Sequence, residues 1–148
     1  MSKEHLKLSN QLCFPLYAAS RLITRSYQPY LDKLGITYPQ YLVLLVLWET
    51  DELTVNDITR KLILNTNTIT PLLQRMEKLE LISRHRSEND ERKVIVKLTH
   101  KGLDMQNDAE NIPIQLGTQL SSGKLQVKEL MEMKDQLYKI IDELTNRE

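Results

Sequence analysis

The sequence predicts a mainly helical fold with a small β-hairpin, arranged as a winged helix-turn-helix. Two helix patterns, residues 54–62 and 65–80, are separated by a tight turn. From residue 82 to residue 98 the period of the apolar residues becomes alternating, which is typical of β-strands. Further helical patterns precede and follow this region. At 148 residues the chain has the length of one domain.

The N-terminal part predicts two helices of different character. Residues 6–34 have leucine, isoleucine and alanine at helical spacing. Pro15 and Pro29 interrupt this pattern, and we expect a break or kink near each because proline removes a backbone donor. After Gly35, residues 38–50 are apolar almost all round, so we expect that helix to be central and buried.

The predicted helix-turn-helix has two start signals. Thr54 has the character of an N-cap, and Asp57 takes the capping-box position for a short helix over residues 55–62. A second start signal, Asn-Thr-Asn, opens a longer helix to about residue 80. Pro71 is tolerated there because it lies near the first turn, where backbone donors are mostly unpaired.

The remainder predicts a hairpin and further helices. Residues 82–86 and 93–98 are β-type runs joined by a polar stretch, so we expect a hairpin with a charged tip. Thr99 caps a helix that Ile112-Pro113 disturbs. After a break at residues 121–123, the final helix carries an apolar stripe with charged flanks.

Charge and composition exclude several classes of protein. The formal net charge is zero, but residues 54–102 carry ten Lys and Arg against six Asp and Glu, whereas residues 103–148 carry five against nine. This distribution is expected if only the middle region faces phosphate. No apolar run is long enough to span a membrane, and the N-terminus is too polar for a secretory signal. We therefore expect a cytoplasmic protein without membrane contact.

Motifs for catalysis are missing from the sequence. The three histidines have no metal-ligand spacing, the four glycines form no phosphate loop, and there is no Gly-x-Ser-x-Gly turn. We expect neither an enzyme nor a bound metal or cofactor. The single cysteine excludes a disulfide within the chain.

The second helix of the pair and the hairpin carry the predicted contacts to double-stranded DNA. A helix of this length fits the major groove with its N-terminal residues near base edges, and an arginine at a hairpin tip can enter a narrow minor groove. Ordinary helix-start residues and a solvated edge are the alternative, since helix-helix-hairpin orders also occur outside DNA binding. The candidate residues are Thr66, Asn67, Thr68, Thr70, Pro71, Gln74 and Arg75 in the helix, and Arg84, Arg86, Arg92 and Lys93 in the hairpin.

The run from Asp90 to Gly102 resembles the wing signature of the MarR family of bacterial transcription regulators. In that family an aspartate, an arginine two residues later and a strand precede a Leu-Thr-x-x-Gly helix start. Residues 66–77 similarly resemble the recognition helix of the family's oxidation-sensing branch. The resemblance covers the whole chain. It implies that Arg92 is a minor-groove arginine and that Asp90 orients it.

The resemblance also implies a domain organisation. Residues 1–148 would form a single MarR-type domain. The helices in residues 1–36 and 103–148 would build a homodimer around the winged helix-turn-helix of residues 37–102. A twofold-symmetric dimer in turn predicts a pseudo-palindromic operator.

Cys13 lies in a Leu-Cys-Phe context near the start of the first helix, where a helix N-terminus favours thiolate over thiol. By composition alone, a lone cysteine is more often a small buried apolar residue. The segment is similar to the organic-hydroperoxide-responsive members of the MarR family. This similarity implies that Cys13 is a redox sensor and that Tyr27 and Tyr38 donate hydrogen bonds to it from the partner subunit.

The predicted mechanism begins with oxidation of Cys13 to sulfenic acid by peroxide. A low-molecular-weight thiol then caps it, or it over-oxidises, and DNA binding weakens. One alternative keeps the fold and changes the signal. Many MarR relatives bind phenolic or other small ligands, and Cys13 would then be structural. An adaptor without nucleic acid is a further class, but it leaves the hairpin arginines unexplained.

Overall fold

The computed structural model, which describes residues 3–147, has seven α-helices and a three-stranded sheet in that range. It confirms the mainly helical fold with a winged helix-turn-helix. The chain forms two units, one that ends at Ala109 and one that begins at Glu110. The elements are α1 (Cys13–Leu34), α2 (Tyr38–Glu49), β1 (Leu53–Thr54), α3 (Val55–Leu62), α4 (Thr66–Lys78), β2 (Ile82–Arg86), β3 (Val94–Leu98), α5 (His100–Ala109), α6 (Ile112–Ser121) and α7 (Val127–Thr145).

The first helix begins later than the sequence pattern predicts. Residues 4–10 form two short 3₁₀ turns, and α1 starts at Cys13 and continues without interruption through Pro29 to Leu34. The predicted helix is interrupted near Pro15, at residues 11–12, whereas the break expected at Pro29 is wrong. Pro15 lies in the first turn of α1, where its missing N–H group costs no helical hydrogen bond. It marks where α1 starts.

Helix α2 is the centre of the first unit, as its sequence predicts. A capping box at Thr37 and Gln40 opens it, with the Thr37 backbone N–H donating to Gln40 Oε1 at 2.9 Å. It packs against α1, α3, α4 and α5. Burial of the apolar side chains of α2 stabilises the unit through the hydrophobic effect. The buried residues of α2 and its neighbours include Tyr41, Val43, Leu44, Leu47, Ile58, Ile69, Leu73, Met76 and Val96.

The helix-turn-helix starts where the sequence predicts. Thr54 Oγ1 accepts a hydrogen bond from the Asp57 backbone N–H at 3.0 Å, and the Asp57 carboxylate accepts from Thr54 in return. This reciprocal cap satisfies donors that would otherwise be unpaired at the start of α3. The helix ends at Ile63, which takes the left-handed conformation with φ of 54°.

The sheet contains one strand that the sequence pattern does not reveal. Strands β2 and β3 form the expected antiparallel hairpin, with Ile82 opposite Leu98. The two-residue strand β1 adds to the other edge of β3, with Leu53 opposite Val96, and the strand order is β1-β3-β2. The residues before α3 are thus part of the wing sheet and not only a connection.

The second unit consists of α6 and α7. The predicted disturbance at Ile112-Pro113 is the start of α6, with Pro113 again in the first turn. All residues of α7 are described, and none of them is buried. None of the helices in residues 3–147 has the length and apolar character needed to cross a membrane. The exposed apolar side chains of α7 are Val127, Met131, Met133, Tyr138, Ile140 and Leu144.

Candidate nucleic-acid interface and cysteine site

The N-terminal end of α4 presents short polar side chains to solvent. Asn65 is the N-cap, and its Oδ1 accepts from the backbone N–H and the hydroxyl of Thr68 at 2.9 and 3.0 Å. The opposite face of α4 is buried, which holds the helix by its apolar side. Six predicted contact residues are exposed on the free face, while Thr70 is half-buried. The exposed six are Thr66, Asn67, Thr68, Pro71, Gln74 and Arg75.

The tip of the wing contains an aspartate–arginine pair. Asp90 Oδ1 accepts from the Arg92 backbone N–H at 3.0 Å and from its Nε at 3.2 Å. These hydrogen bonds hold the pKa of Asp90 below its usual value, chiefly through the Arg92 side chain. The Arg92 side chain remains 91% exposed. The carboxylate therefore orients the guanidinium without burying it, which is the relation that the resemblance implies.

The other two hairpin arginines differ from Arg92. Arg84 donates from Nε and Nη2 to Glu77 Oε2 at 3.1 and 2.9 Å, and its side chain is only 22% exposed. It therefore connects β2 to α4. Arg86 is exposed, and its Nη1 lies 3.5 Å from the Glu91 carbonyl oxygen. Of the three, Arg84 has the least freedom to reach a ligand.

A cleft of about 360 Å³ lies between α3, α4 and the wing. The predicted residues Thr70, Arg84 and Arg92 line it. Lys93, also a candidate from the hairpin, lines it as well. Two further lining residues, Asn56 and Arg60 of α3, were not predicted from the sequence. Their only sequence signal is their position just after the Thr54 cap. The cleft makes α3 part of the basic surface, although the pattern assigns DNA contacts only to α4 and the hairpin.

The Leu-Thr-x-x-Gly segment holds the start of α5 against the end of α4. The Thr99 backbone N–H donates to the Leu81 carbonyl at 3.1 Å, and Thr99 Oγ1 accepts from the Gly102 N–H at 3.0 Å. Trp48 Nε1 donates to the Gly102 carbonyl at 2.9 Å. A Cβ atom at Gly102 would lie 2.1 Å from the Leu81 carbonyl oxygen. Only glycine permits this approach of α5 to the end of α4.

Cys13 is the first residue of α1, and it is exposed. Within the single chain it is therefore not buried, although composition alone would favour a buried apolar residue. Its distance from Tyr27 follows from helix geometry, since 14 residues along α1 correspond to roughly 21 Å. The single chain does not bring Cys13 to the tyrosines.

The tyrosines form a cluster of their own. The ring centroids of Tyr27 and Tyr38 are 5.0 Å apart, and Tyr41 lies 5.7 Å from the first and 6.3 Å from the second. Burial raises the pKa of Tyr27 and Tyr38, and it raises the pKa of Tyr41 to about 12. All three hydroxyls are thus protonated donors at neutral pH. None of them is hydrogen-bonded to another of the described residues 3–147.

Comparisons with known proteins agree with this geometry. The profile of the family described as transcriptional regulator SarA/Rot matches residues 25–109. The organic hydroperoxide resistance transcriptional regulator of Bacillus subtilis (strain 168) is 49% identical over 141 residues, covering 95% of this chain and 94% of that protein. The HTH-type transcriptional regulator MgrA of Staphylococcus aureus is 38% identical, covering 97% of both. These relatives are transcriptional regulators and not enzymes.

Solved structures match over nearly the whole chain. Reduced AbfR bound to DNA is 38% identical, with a TM-score of 0.79, and covers 99% of this chain and 98% of that one. AbfR, a protein of Staphylococcus epidermidis, is also solved in an overoxidised form bound to DNA and in a disulfide form, with TM-scores of 0.73 and 0.64. The chain belongs to the SarA/Rot family and is a DNA-binding transcriptional regulator of the MarR/SarA type.

Proposed function

We propose that the chain is a homodimeric repressor that releases a pseudo-palindromic operator when an organic hydroperoxide oxidises Cys13. The observation that carries this proposal is the separation of an exposed thiol from the tyrosine donors. Cys13 is exposed at one end of α1, and the Tyr27 hydroxyl is protonated and unpaired roughly 21 Å along the same helix. A second copy of the chain can supply the missing contact, and a single copy cannot.

Exposed apolar side chains support the homodimer. Both the start of α1 and the whole of α7 carry large apolar groups in contact with solvent, although such groups are favourable to bury. In the proposed dimer the helices of residues 1–36 and 103–148 cover each other, and residues 37–102 face DNA. The exposed apolar residues of α1 are Phe14, Tyr17, Leu22 and Ile23, preceded by Leu12.

The proposed chemistry starts from the Cys13 thiolate, which tyrosine hydroxyls stabilise by hydrogen bonds in the reduced dimer. The sulfur attacks the peroxide, the O–O bond breaks, and Cys13 becomes a sulfenic acid while the peroxide is reduced to an alcohol. A low-molecular-weight thiol then condenses with the sulfenic acid to form a mixed disulfide and water. Because the chain has one cysteine, the resolving thiol comes from another molecule.

The release of DNA needs only a modest change in free energy. A tenfold loss of affinity corresponds to about 1.4 kcal/mol between the two states of the dimer. A bulky adduct at Cys13 supplies it by separating the subunits' tyrosines and changing the spacing of the two recognition helices. AbfR in its overoxidised form is bound to DNA. We therefore assign release to the mixed disulfide and not to added oxygen atoms alone.

DNA recognition in this proposal uses the α4 N-terminus and the wing tip. The exposed polar side chains at the start of α4 face base edges, with about 1–3 kcal/mol of discrimination for each well-placed pair. Arg92, oriented by Asp90, enters the minor groove. Two such units separated by about one turn of DNA read a site with twofold symmetry. The proposed contacts are Thr66, Asn67, Thr68, Thr70, Pro71, Gln74, Arg75, Arg84, Arg86 and Arg92.

The test is a titration of the purified protein on the DNA upstream of its own gene. The titration is repeated with an organic hydroperoxide and a small thiol, separately and together. We expect the wild type to release DNA with both reagents and Cys13→Ser to remain bound. Tyr27→Phe with Tyr38→Phe is the matched control for the donors, and it should bind DNA but form the sulfenic acid more slowly. If neither the wild type nor Cys13→Ser responds, the redox proposal is wrong and a small-ligand regulator takes its place.

A further inference from the structure

The cleft between α3, α4 and the wing contains both ion-paired and unpaired cationic side chains. Arg84 is paired with Glu77, and Arg92 is paired with Asp90. Lys93 makes no ion pair with any of residues 3–147, although it is close enough to lower the pKa of two aspartates. The ammonium group of Lys93 is thus the charge in the cleft with the greatest capacity for an external anion.

The α3 side of the cleft adds further donors. Arg60 approaches the Asp57 carboxylate at 3.3 Å, but its side chain is 78% exposed. Asp57 itself accepts from the Thr54 hydroxyl at 2.6 Å, and this hydrogen bond is the main reason for its lowered pKa. The acid is therefore committed to the start of α3. The side chains of Asn56 and Thr70 also line the cleft, and neither makes a hydrogen bond with any of the described residues.

We propose that this cleft seats one phosphate group of the DNA backbone, with Lys93, Arg60 and the Asn56 amide as its donors. The inference rests on the proposed function, since it requires α4 and the wing to face a duplex. Cationic and amide donors together are suited to phosphate oxygens, which position a protein on DNA without reading its sequence. The cleft is thus a positioning site, and of the proposed base-reading residues of α4 it shares only Thr70.

The distinguishing property of a phosphate contact is its dependence on salt. Each neutralised phosphate contributes about −0.9 to the slope of log affinity against log salt concentration. A dimer has two clefts, so Lys93→Gln should make the slope shallower by about 1.8 on a short duplex of mixed sequence. If wild type and Lys93→Gln bind equally at about 1 M salt, this difference in slope makes the affinity of Lys93→Gln roughly 60-fold lower than that of the wild type at about 0.1 M salt. Lys124→Gln, which removes the same charge outside the cleft, should leave the slope unchanged.

The variant Asn56→Asp distinguishes an effect on DNA affinity from an effect on the stability of the fold. A carboxylate in the first turn of α3 is favourable to the helix, so the thermal stability should hold or rise. The same carboxylate repels a phosphate, so the affinity for the mixed-sequence duplex should fall. Loss of affinity together with retained stability supports the cleft. Retained affinity in both Asn56→Asp and Lys93→Gln overturns it.

Other outcomes also distinguish the cleft from the proposed function. If the wild type binds no DNA, the proposed function itself is wrong. If Lys93→Gln weakens binding only to the upstream DNA and not to the mixed duplex, the residue reads sequence, and the phosphate site is refuted. Titration calorimetry with inorganic phosphate tests a free anion. Phosphate binding that Lys93→Gln abolishes, with unchanged DNA affinity, would assign the cleft to a small anion and overturn the proposal.

Discussion

Replacing Gly102 with alanine tests the way α5 is held against the end of α4. The added Cβ would lie 2.1 Å from the Leu81 carbonyl oxygen and 3.2 Å from Leu98 Cδ2. The first distance is more than 1 Å inside ordinary contact, and its partner is backbone, which cannot rotate away. Overpacking of this kind costs about 3 kcal/mol or more. Alanine recovers about 1 kcal/mol in a helix, which leaves a net destabilisation of about 2 kcal/mol.

Gly117→Ala is the matched control for this prediction. Gly117 is also inside a helix, but a Cβ there would meet nothing within 4 Å. The same substitution should therefore stabilise the protein by about 1 kcal/mol through helix propensity alone. The two variants differ in sign because only one position has a carbonyl oxygen in the path of the methyl group.

Urea and thermal unfolding measure both variants. For a chain of this length, the loss at Gly102 should lower Tm by about 4–8 °C, since 1 kcal/mol corresponds to about 2–4 °C. A Gly102→Ala protein that unfolds at or above the wild-type temperature would refute the reasoning. It would mean that α5 moves away from Leu81 at little cost.

Three further predictions follow from individual contacts. Trp48→Phe leaves the Gly102 carbonyl without its donor and should destabilise the protein by about 1–3 kcal/mol in urea unfolding. Glu77→Gln frees Arg84 from its ion pair, so affinity for mixed-sequence DNA should rise and its salt dependence should steepen; an unchanged slope contradicts this. The protonated form of Tyr41 is favoured in the folded state, so its contribution is complete below pH 10 and is lost as pH rises through about 12. Tyr41→Phe should flatten the loss of stability over that interval, and identical profiles would contradict it.

The helix-turn-helix and the hairpin could be predicted from the sequence because their signals are local. The cap at Thr54 and the Asn-Thr-Asn start lie within a turn of the backbone groups that they satisfy. Strand β1 could not be found in this way. It is two residues long, and its pairing partner in β3 lies more than 40 residues away. Its only local signal, Leu53-Thr54, is the same one that starts α3.

The positions of the prolines show a limit of pattern reading. Pro15 and Pro29 interrupt an apolar period in the same way, and the sequence predicts a break at each. In the structure Pro15 stands in the first turn, while the helix accommodates Pro29 in its interior. The difference depends on where α1 starts, which is set by the 3₁₀ turns before Cys13. The few residues around one proline do not show where the helix that contains it starts.

The candidate cysteine site stays a prediction, because the structure of one chain does not bring its residues together. The offsets of Cys13, Tyr27 and Tyr38 carry the resemblance, yet in one chain only the two tyrosines meet. The proposed contact between two copies of the chain leaves no spacing pattern in the sequence of one copy. The cleft lined by Asn56 and Lys93 could not be predicted from the sequence either, because its walls come from elements far apart in the chain.

Helix α2 connects the tyrosine cluster to the helix-turn-helix. Tyr38 is its first residue and belongs to the cluster, and Trp48, roughly 15 Å further along the helix, holds Gly102 against the end of α4. Between these ends α2 is buried, and a close-packed interior transmits a displacement because it cannot absorb one locally. A movement of Tyr38 caused by an adduct on Cys13 would therefore shift α2 as a rigid element. The contact that supports the end of α4 lies at the far end of α2, so under the proposed function the redox state of Cys13 would act on DNA binding without any contact between the cysteine and α4.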